Sequence, residues 1–155
     1  MMTTKEAESF VTEVDTRYLE SLMGYNARRA ALAIIGSFLE HMAVYDLRPV
    51  DFSVLSLITH NPGITSRQLC SALSILPPNL VGMINALEKR ELIARRPHPH
   101  DRRATGLHLT EAGQKLMRDA EQTASELEAQ ATSRLSATER KTLMRLLQKI
   151  YIKAK

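Results

Sequence analysis

Apolar residues recur at helical spacing from about Arg17 to Tyr45, with a break allowed near Gly24. One stripe is Ala27, Ala31, Ile34, Phe38 and Tyr45; a second is Leu32, Ile35, Leu39 and Met42. A helix apolar over that much of its circumference is covered on more than one side, which predicts a partner subunit. Arg48-Pro49 ends the pattern, because the residue before proline avoids the helical region. Val50 to His60 predicts a short helix with Phe52, Leu55 and Ile58 inward, followed by a turn at Asn61-Pro62-Gly63. Thr65 and Gln68 form a capping box that opens a helix with Leu69, Ala72 and Leu73 inward. Pro77-Pro78 starts the next helix, where proline is tolerated; its inner residues read as Leu80, Val81, Ile84 and Leu87.

The pattern then changes period. The run LEKRELIARRPHPH leads into a strand ending Arg95-Arg96-Pro97, and DRRATGLHLTEAG holds a second strand, Thr105 to Leu109. Between them lies a loop of His, Pro, Asp and Arg, so the two strands predict a β-hairpin with a cationic tip. Thr110 caps a long helix reaching about Arg134, with Leu116, Ala120, Ala124, Leu127 and Ala131 inward. Ser136 and Glu139 form another capping box, and the last helix carries Leu143, Leu146, Leu147 and Ile150. The predicted order is helix, three short helices, hairpin, two helices. The fold class is mainly α with a small β-hairpin (α+β).

Length and composition set bounds on this picture. A chain of 155 residues, 44% hydrophobic and 25% charged, suits one globular domain. Within residues 1–155 the expected parts are a central lobe at about 47–112, holding the three short helices and the hairpin, and a flanking helical region at about 5–46 and 113–155. A net charge of +4 is a mild basic bias, but it is concentrated locally. Leu87 to Arg103 holds six Lys or Arg against three acids. The single cysteine, Cys70, excludes an internal disulfide and reads as a core thiol. Ala30 to Leu39 is too short to span a membrane, and no secretory signal opens the chain, so a cytoplasmic protein is expected with no membrane partner.

Catalytic signatures are missing: there is no glycine-rich phosphate loop, G-x-S-x-G elbow, H-E-x-x-H or paired cysteine. Asp101 and the histidines around it sit on an exposed loop with nothing to bury them, which is no setting for acid/base catalysis. No enzyme and no cofactor is expected. Glu40-His41, His98, His100 and His108 do not make a ligand set, so no metal site is expected either.

Two short helices, a tight turn and a following hairpin predict a winged helix-turn-helix whose second helix enters a DNA major groove. That helix starts Leu76-Pro77-Pro78-Asn79. Asn79 suits adenine or phosphate, Pro77 and Pro78 offer apolar contacts, and Gly82 permits close backbone approach. Ser66, Arg67, Gln68, Asn85 and Lys89 suit phosphate oxygens. Adjacent Arg102 and Arg103 at a hairpin tip repel each other, and make sense facing the negative potential of a minor groove. Arg95 and Arg96 alternate on a strand, so at most one meets DNA; Arg96 is carried as the candidate.

Residues from about 50 to 116 resemble the multiple-antibiotic-resistance regulator (MarR) family. The family pattern is present as Asp101, Arg103, Leu109-Thr110 and Gly113, preceded by Leu87-Glu88-Lys89-Arg90 and Leu92-Ile93. The resemblance implies a homodimer on a pseudo-palindromic operator, usually a repressor released by a small ligand. It implies that Arg103 enters the minor groove and that Asp101 holds that arginine and the loop in shape. The chain departs from the family at Leu76 and Asn79, where Ser or Thr is frequent, at Gly82, where Arg is frequent, and at Glu91, where Gly is usual.

Inducer pockets in this family lie between the dimer helices and the DNA-binding lobe. The resemblance therefore directs attention to Arg28, Arg29 and His41, with Tyr25, Met42 and Tyr45 as an aromatic-accepting lining. The expected effector is a small aromatic carboxylate. The plainer alternatives are a satisfied core histidine at His41 and surface ion pairs at the arginines. A ligand-independent architectural DNA-binding protein and a metal-sensing regulator stay open as alternative functions.

Overall fold

The computed structural model describes residues 10–153; residues 5–9 and 154–155 of the expected flanking helical region lie outside the described part. The chain divides into two compact units, with the boundary between Leu32 and Ala33.

In the first unit a single turn, α1 (Arg17–Glu20), precedes the start of α2 (Met23–Met42). The break falls at Ser21-Leu22 rather than at Gly24, which lies inside α2. Asn26 explains the position: its Nδ2 donates to the Glu20 and Leu22 carbonyls at 2.7 and 2.8 Å, stapling the turn.

In the second unit α2 ends in a 3-10 turn, Ala43–Tyr45, closed by Asp46 in the left-handed region. The Arg90 guanidinium donates to the Asp46 and Tyr45 carbonyls at 2.7 and 3.1 Å and holds this corner. Next come α3 (Pro49–His60), a short strand β1 (Ile64–Thr65), α4 (Ser66–Leu73) and α5 (Pro77–Lys89). Strands β2 (Ile93–Pro97) and β3 (Thr105–Leu109) follow, then α6 (Glu111–Ala131) and α7 (Ala137–Tyr151). The capping boxes at Thr65/Gln68 and Ser136/Glu139 form as the sequence predicts, and Thr110 caps α6 through the Gly113 N–H.

The sheet has three strands rather than two. It is antiparallel with order β1-β3-β2, and β1 pairs Ile64 with Leu107 and Thr65 with Gly106. Two residues show no period of their own, so β1 is defined only by its partner. The strands are drawn close by glycine: Gly63 has φ +89°, and a Cβ on Gly106 would come to 3.0 Å from the Gly63 carbonyl oxygen.

The core of this unit is Met42, Leu55, Ile58, Leu69, Leu80, Ile84, Leu87, Leu107 and Met117, with Val54. Two inward assignments are corrected. Ala72 is exposed, because α4 turns Leu69 inward and leaves Cys70 and Leu73 half-buried. Val81 is 53% exposed, because α5 sets its phase by Leu80, Ile84 and Leu87, and one residue further round is a 100° rotation. On α6, Met117 and Gly113 are buried whereas Ala131 is exposed. Runs of large apolar side chains remain uncovered on α2, at Leu32, Ile35 and Leu39, and on α7, at Leu143, Leu146, Leu147 and Ile150.

Asp51 is a buried acid at the start of α3, 6% exposed. It accepts the Arg48 backbone N–H at 3.1 Å and a two-point contact from the Arg48 guanidinium, both at 2.9 Å. Burial pushes the carboxyl up, but the Arg48 hydrogen bonds and charge, helped by the charge of Arg90, outweigh it and hold the pKa below its ordinary value. A depressed folded-state pKa gives stability that is full above the unfolded value of about 3.9 and lost as the pH falls through the folded value. Asp51→Asn is expected to be less stable at neutral pH, and to lose less further stability between about pH 5 and pH 3. Urea unfolding of both proteins across that range checks this; parallel curves would remove Asp51 from the acid response.

Candidate nucleic-acid interface

Helix α4 ends at Ser74 in the left-handed conformation (φ +52°), and the chain turns 116° before α5. This matches the helix–turn–helix angle. Leu76 is extended and the two prolines fill the first turn of α5, so no backbone donor is lost there. Leu80, Ile84 and Leu87 anchor one side of α5. Pro77, Pro78, Asn79, Gly82, Asn85 and Lys89 are thereby all left exposed. A Cβ at Gly82 would meet nothing within 4 Å, so this part of the helix surface is open.

The hairpin is held in register from Ile93↔Leu109 to Pro97↔Thr105. Its loop is built around Asp101. The Asp101 Oδ1 accepts the Arg103 backbone N–H at 2.9 Å, the Ala104 N–H donates to the Asp101 carbonyl at 3.1 Å, and the His98 N–H donates to the Ala104 carbonyl at 3.0 Å. Asp101 thus orders the loop through the backbone, and among the described residues the Arg103 guanidinium has no partner. Arg102 and Arg103 are both exposed.

One open groove gathers Ser66, Arg67 and Gln68 from the α4 start with Arg95, His98, Asp101 and Arg103 from the hairpin. Gln68 is partly occupied, since its Oε1 accepts the Thr65 backbone N–H at 3.0 Å; its amide N–H groups remain available. Arg95, not Arg96, is the member of the alternating pair on this side. Arg96 instead lines a separate groove with Ile58, His108 and Arg118, and is corrected accordingly. The Arg95 guanidinium also donates to Glu88 Oε2 at 2.9 Å and Asn85 Oδ1 at 2.7 Å. The root of the wing is thereby tied to α5, and Asn85 keeps only its amide N–H groups for a phosphate. Sequence reasoning missed this network; the one available signal is the strand alternation that separates Arg95 from Arg96.

Glu91 occupies a left-handed position (φ +58°), which accounts for glycine being usual there. Its carbonyl accepts the Thr110 hydroxyl at 2.6 Å, so the strained residue joins the end of α5 to the start of α6.

The expected effector residues have mixed placements. In the first unit Arg29 donates to the Tyr25 hydroxyl at 3.3 Å, with its guanidinium 5.9 Å from the ring centroid, and Arg28 is exposed. In the second unit Met42 is fully buried, so it belongs to the core and lines no open surface. The half-buried Tyr45 places its hydroxyl 2.9 Å from Thr123 Oγ1. His41 is exposed, with Nδ1 3.0 Å from the Ser37 carbonyl, and is not a core histidine of this chain. Among the described residues no three His, Cys, Asp or Glu side chains group as metal ligands, and no single helix is long and apolar enough to cross a membrane.

A helix-turn-helix tied to an arginine-bearing three-stranded wing defines a winged-helix transcriptional regulator. The MarR family model matches residues 47–105. A protein named as a transcriptional regulatory protein for the hcr operon of Thauera aromatica is 30% identical over 148 residues, 95% of this chain and 89% of that protein. The transcriptional repressor CouR bound to a 23-mer DNA duplex has a TM-score of 0.83 at 36% identity, covering 90% of this chain and 99% of that one. CouR bound to p-coumaroyl-CoA gives 0.80 at 34% identity, covering 92% and 100%. The chain belongs to the MarR family. It is a transcriptional regulator and not an enzyme.

Proposed function

We propose that this protein is a homodimeric repressor that leaves a pseudo-palindromic operator when a small aromatic acid, free or as its coenzyme A thioester, binds. The DNA-binding lobe is residues 47–112, flanked by a dimerisation region at about 5–46 and 113–155, and the protein acts in the cytoplasm. The observation that carries the reading is the groove that collects Ser66, Arg67 and Arg103 and is linked to α5 through Arg95. The DNA contacts are Ser66, Arg67, Gln68, Pro77, Pro78, Asn79, Gly82, Asn85, Lys89, Arg95, Arg102 and Arg103, with Asp101 ordering the loop. Two copies of α5 enter successive major grooves about 34 Å apart, and each wing reaches a flanking minor groove.

The uncovered apolar residues of α2 and of α7 support the homodimer, since many large apolar side chains left in solvent on a helix mark an interaction surface. The CouR complexes with DNA and with p-coumaroyl-CoA support an operator and an aromatic acyl effector. Tyr25, Arg28, Arg29, His41 and Tyr45 are the proposed effector contacts. The effector acts by binding more tightly to a dimer whose α5 spacing no longer matches the grooves.

The test is titration of DNA from upstream of the protein's own gene at two salt concentrations, with and without a panel of aromatic acids and their thioesters. Tight binding that one compound abolishes is the expected result. Tight binding indifferent to the whole panel would overturn the effector and leave an architectural DNA-binding role.

A further inference from the structure

On the side of the wing away from α5, a groove of about 320 Å³ runs between the end of α3, the root of the hairpin and the first turns of α6. Ile58, Pro62 and Leu109 make its apolar floor, and Arg96, His108, Gln114 and Arg118 supply donors around it. The carboxylate on this groove, Glu121, is already engaged. It accepts Ser56 Oγ at 2.9 Å and lies 2.9 Å from His60 Nε2. Among the described residues neither Arg96 nor Arg118 has a hydrogen-bond or ion-pair partner in the protein, so two uncommitted guanidinium groups line one groove that holds a single carboxylate, Glu121, engaged through its Oε1.

We propose that this groove binds a small carboxylate with an apolar body. Guanidinium groups match a planar carboxylate with paired N–H donors, and the floor suits a ring or short hydrocarbon. The volume lies at the low end for ligand sites and suits a small molecule. The groove shares no residue with the proposed effector contacts and stands without them. It has a route to the DNA surface. Arg96 neighbours Arg95 on β2, and β3 carries His108 and Leu109 directly from the Arg103 loop, so an occupant would fix the wing root against α6.

The test uses the full chain, labelled with ¹⁵N, and benzoate and acetate as probes, read by amide shifts. Expected are saturable shifts at His108, Leu109, Gln114 and Arg118 with benzoate, tighter than with acetate. Arg118→Ala and Arg96→Ala should each weaken binding at least tenfold. Both side chains are exposed, and a thermal melt confirms that the variants fold. No saturable shift at these amides, or affinity unchanged in both variants, overturns the site. Saturable shifts confined to residues 25–45 would also overturn it while favouring the effector reading; operator release, titrated separately, reports on that reading alone.

Discussion

Arg103→Ala is expected to weaken operator binding about ten- to a hundredfold per half-site, in line with the 1–3 kcal/mol associated with one good arginine contact. It is also expected to flatten the salt dependence by roughly one unit of log–log slope for each wing. Three observations set the size of this effect. The side chain is exposed and its guanidinium has no protein partner among the described residues, so its removal leaves the folded protein intact. Its backbone N–H is held by Asp101, so the arginine is presented by an ordered loop. A narrow minor groove concentrates negative potential, where an inserted guanidinium gains more than on an exposed phosphate. Arg103→Lys should keep the salt slope and lose only part of the affinity, because the charge remains and the planar fork does not. Filter binding or fluorescence anisotropy at several salt concentrations separates these terms. Wild-type affinity with a wild-type slope would mean that the wing does not touch DNA.

Gly113→Ala is expected to cost about 3 kcal/mol or more of folding stability, at the upper end for overpacking. Gly113 is buried in the first turn of α6, and its N–H donates to Thr110 Oγ1 at 3.1 Å. An added Cβ would collide with the Leu92 carbonyl oxygen and come to 3.4 Å from the Leu109 Cβ. That carbonyl is backbone and already accepts the Thr110 N–H at 3.0 Å, so no rotamer change relieves the contact. The start of α6 would have to move away from the end of α5, dragging Thr110 and the wing root with it. For a chain of this size the loss corresponds to a drop of roughly 6–12 °C in Tm. An unchanged melt would show that α6 does not approach the Leu92 carbonyl this closely.

The two predictions differ in how far each was visible in the chain. Arg103 and Gly113 both stand out in the sequence, one as a paired cation on a loop, the other within a motif. The role of Gly113 depends on Leu92, twenty-one positions earlier, and only the folded backbone brings that oxygen to it. The same contrast holds across the site. Alternation showed that Arg95 and Arg96 face opposite ways. The choice between them needed Glu88 and Asn85, which α5 presents to Arg95 only after the turn at Glu91. Met42 lies on an apolar helical stripe and is expected to line an effector pocket, yet it packs among Leu47, Val54 and the rest of the core.

The sequence by itself determined the order of the elements, their caps, the cationic loop and the family resemblance. These follow from interactions spanning a few residues: helical period, side-chain capping, the backbone limits of proline and glycine, and charge on a short loop. The tertiary structure decided the third strand, the rotational phase of α4 and α5, which wing arginine joins the α4 groove, and the second groove at Arg96 and Arg118. Each of those depends on contacts between residues distant in the chain, whose partners no local pattern names.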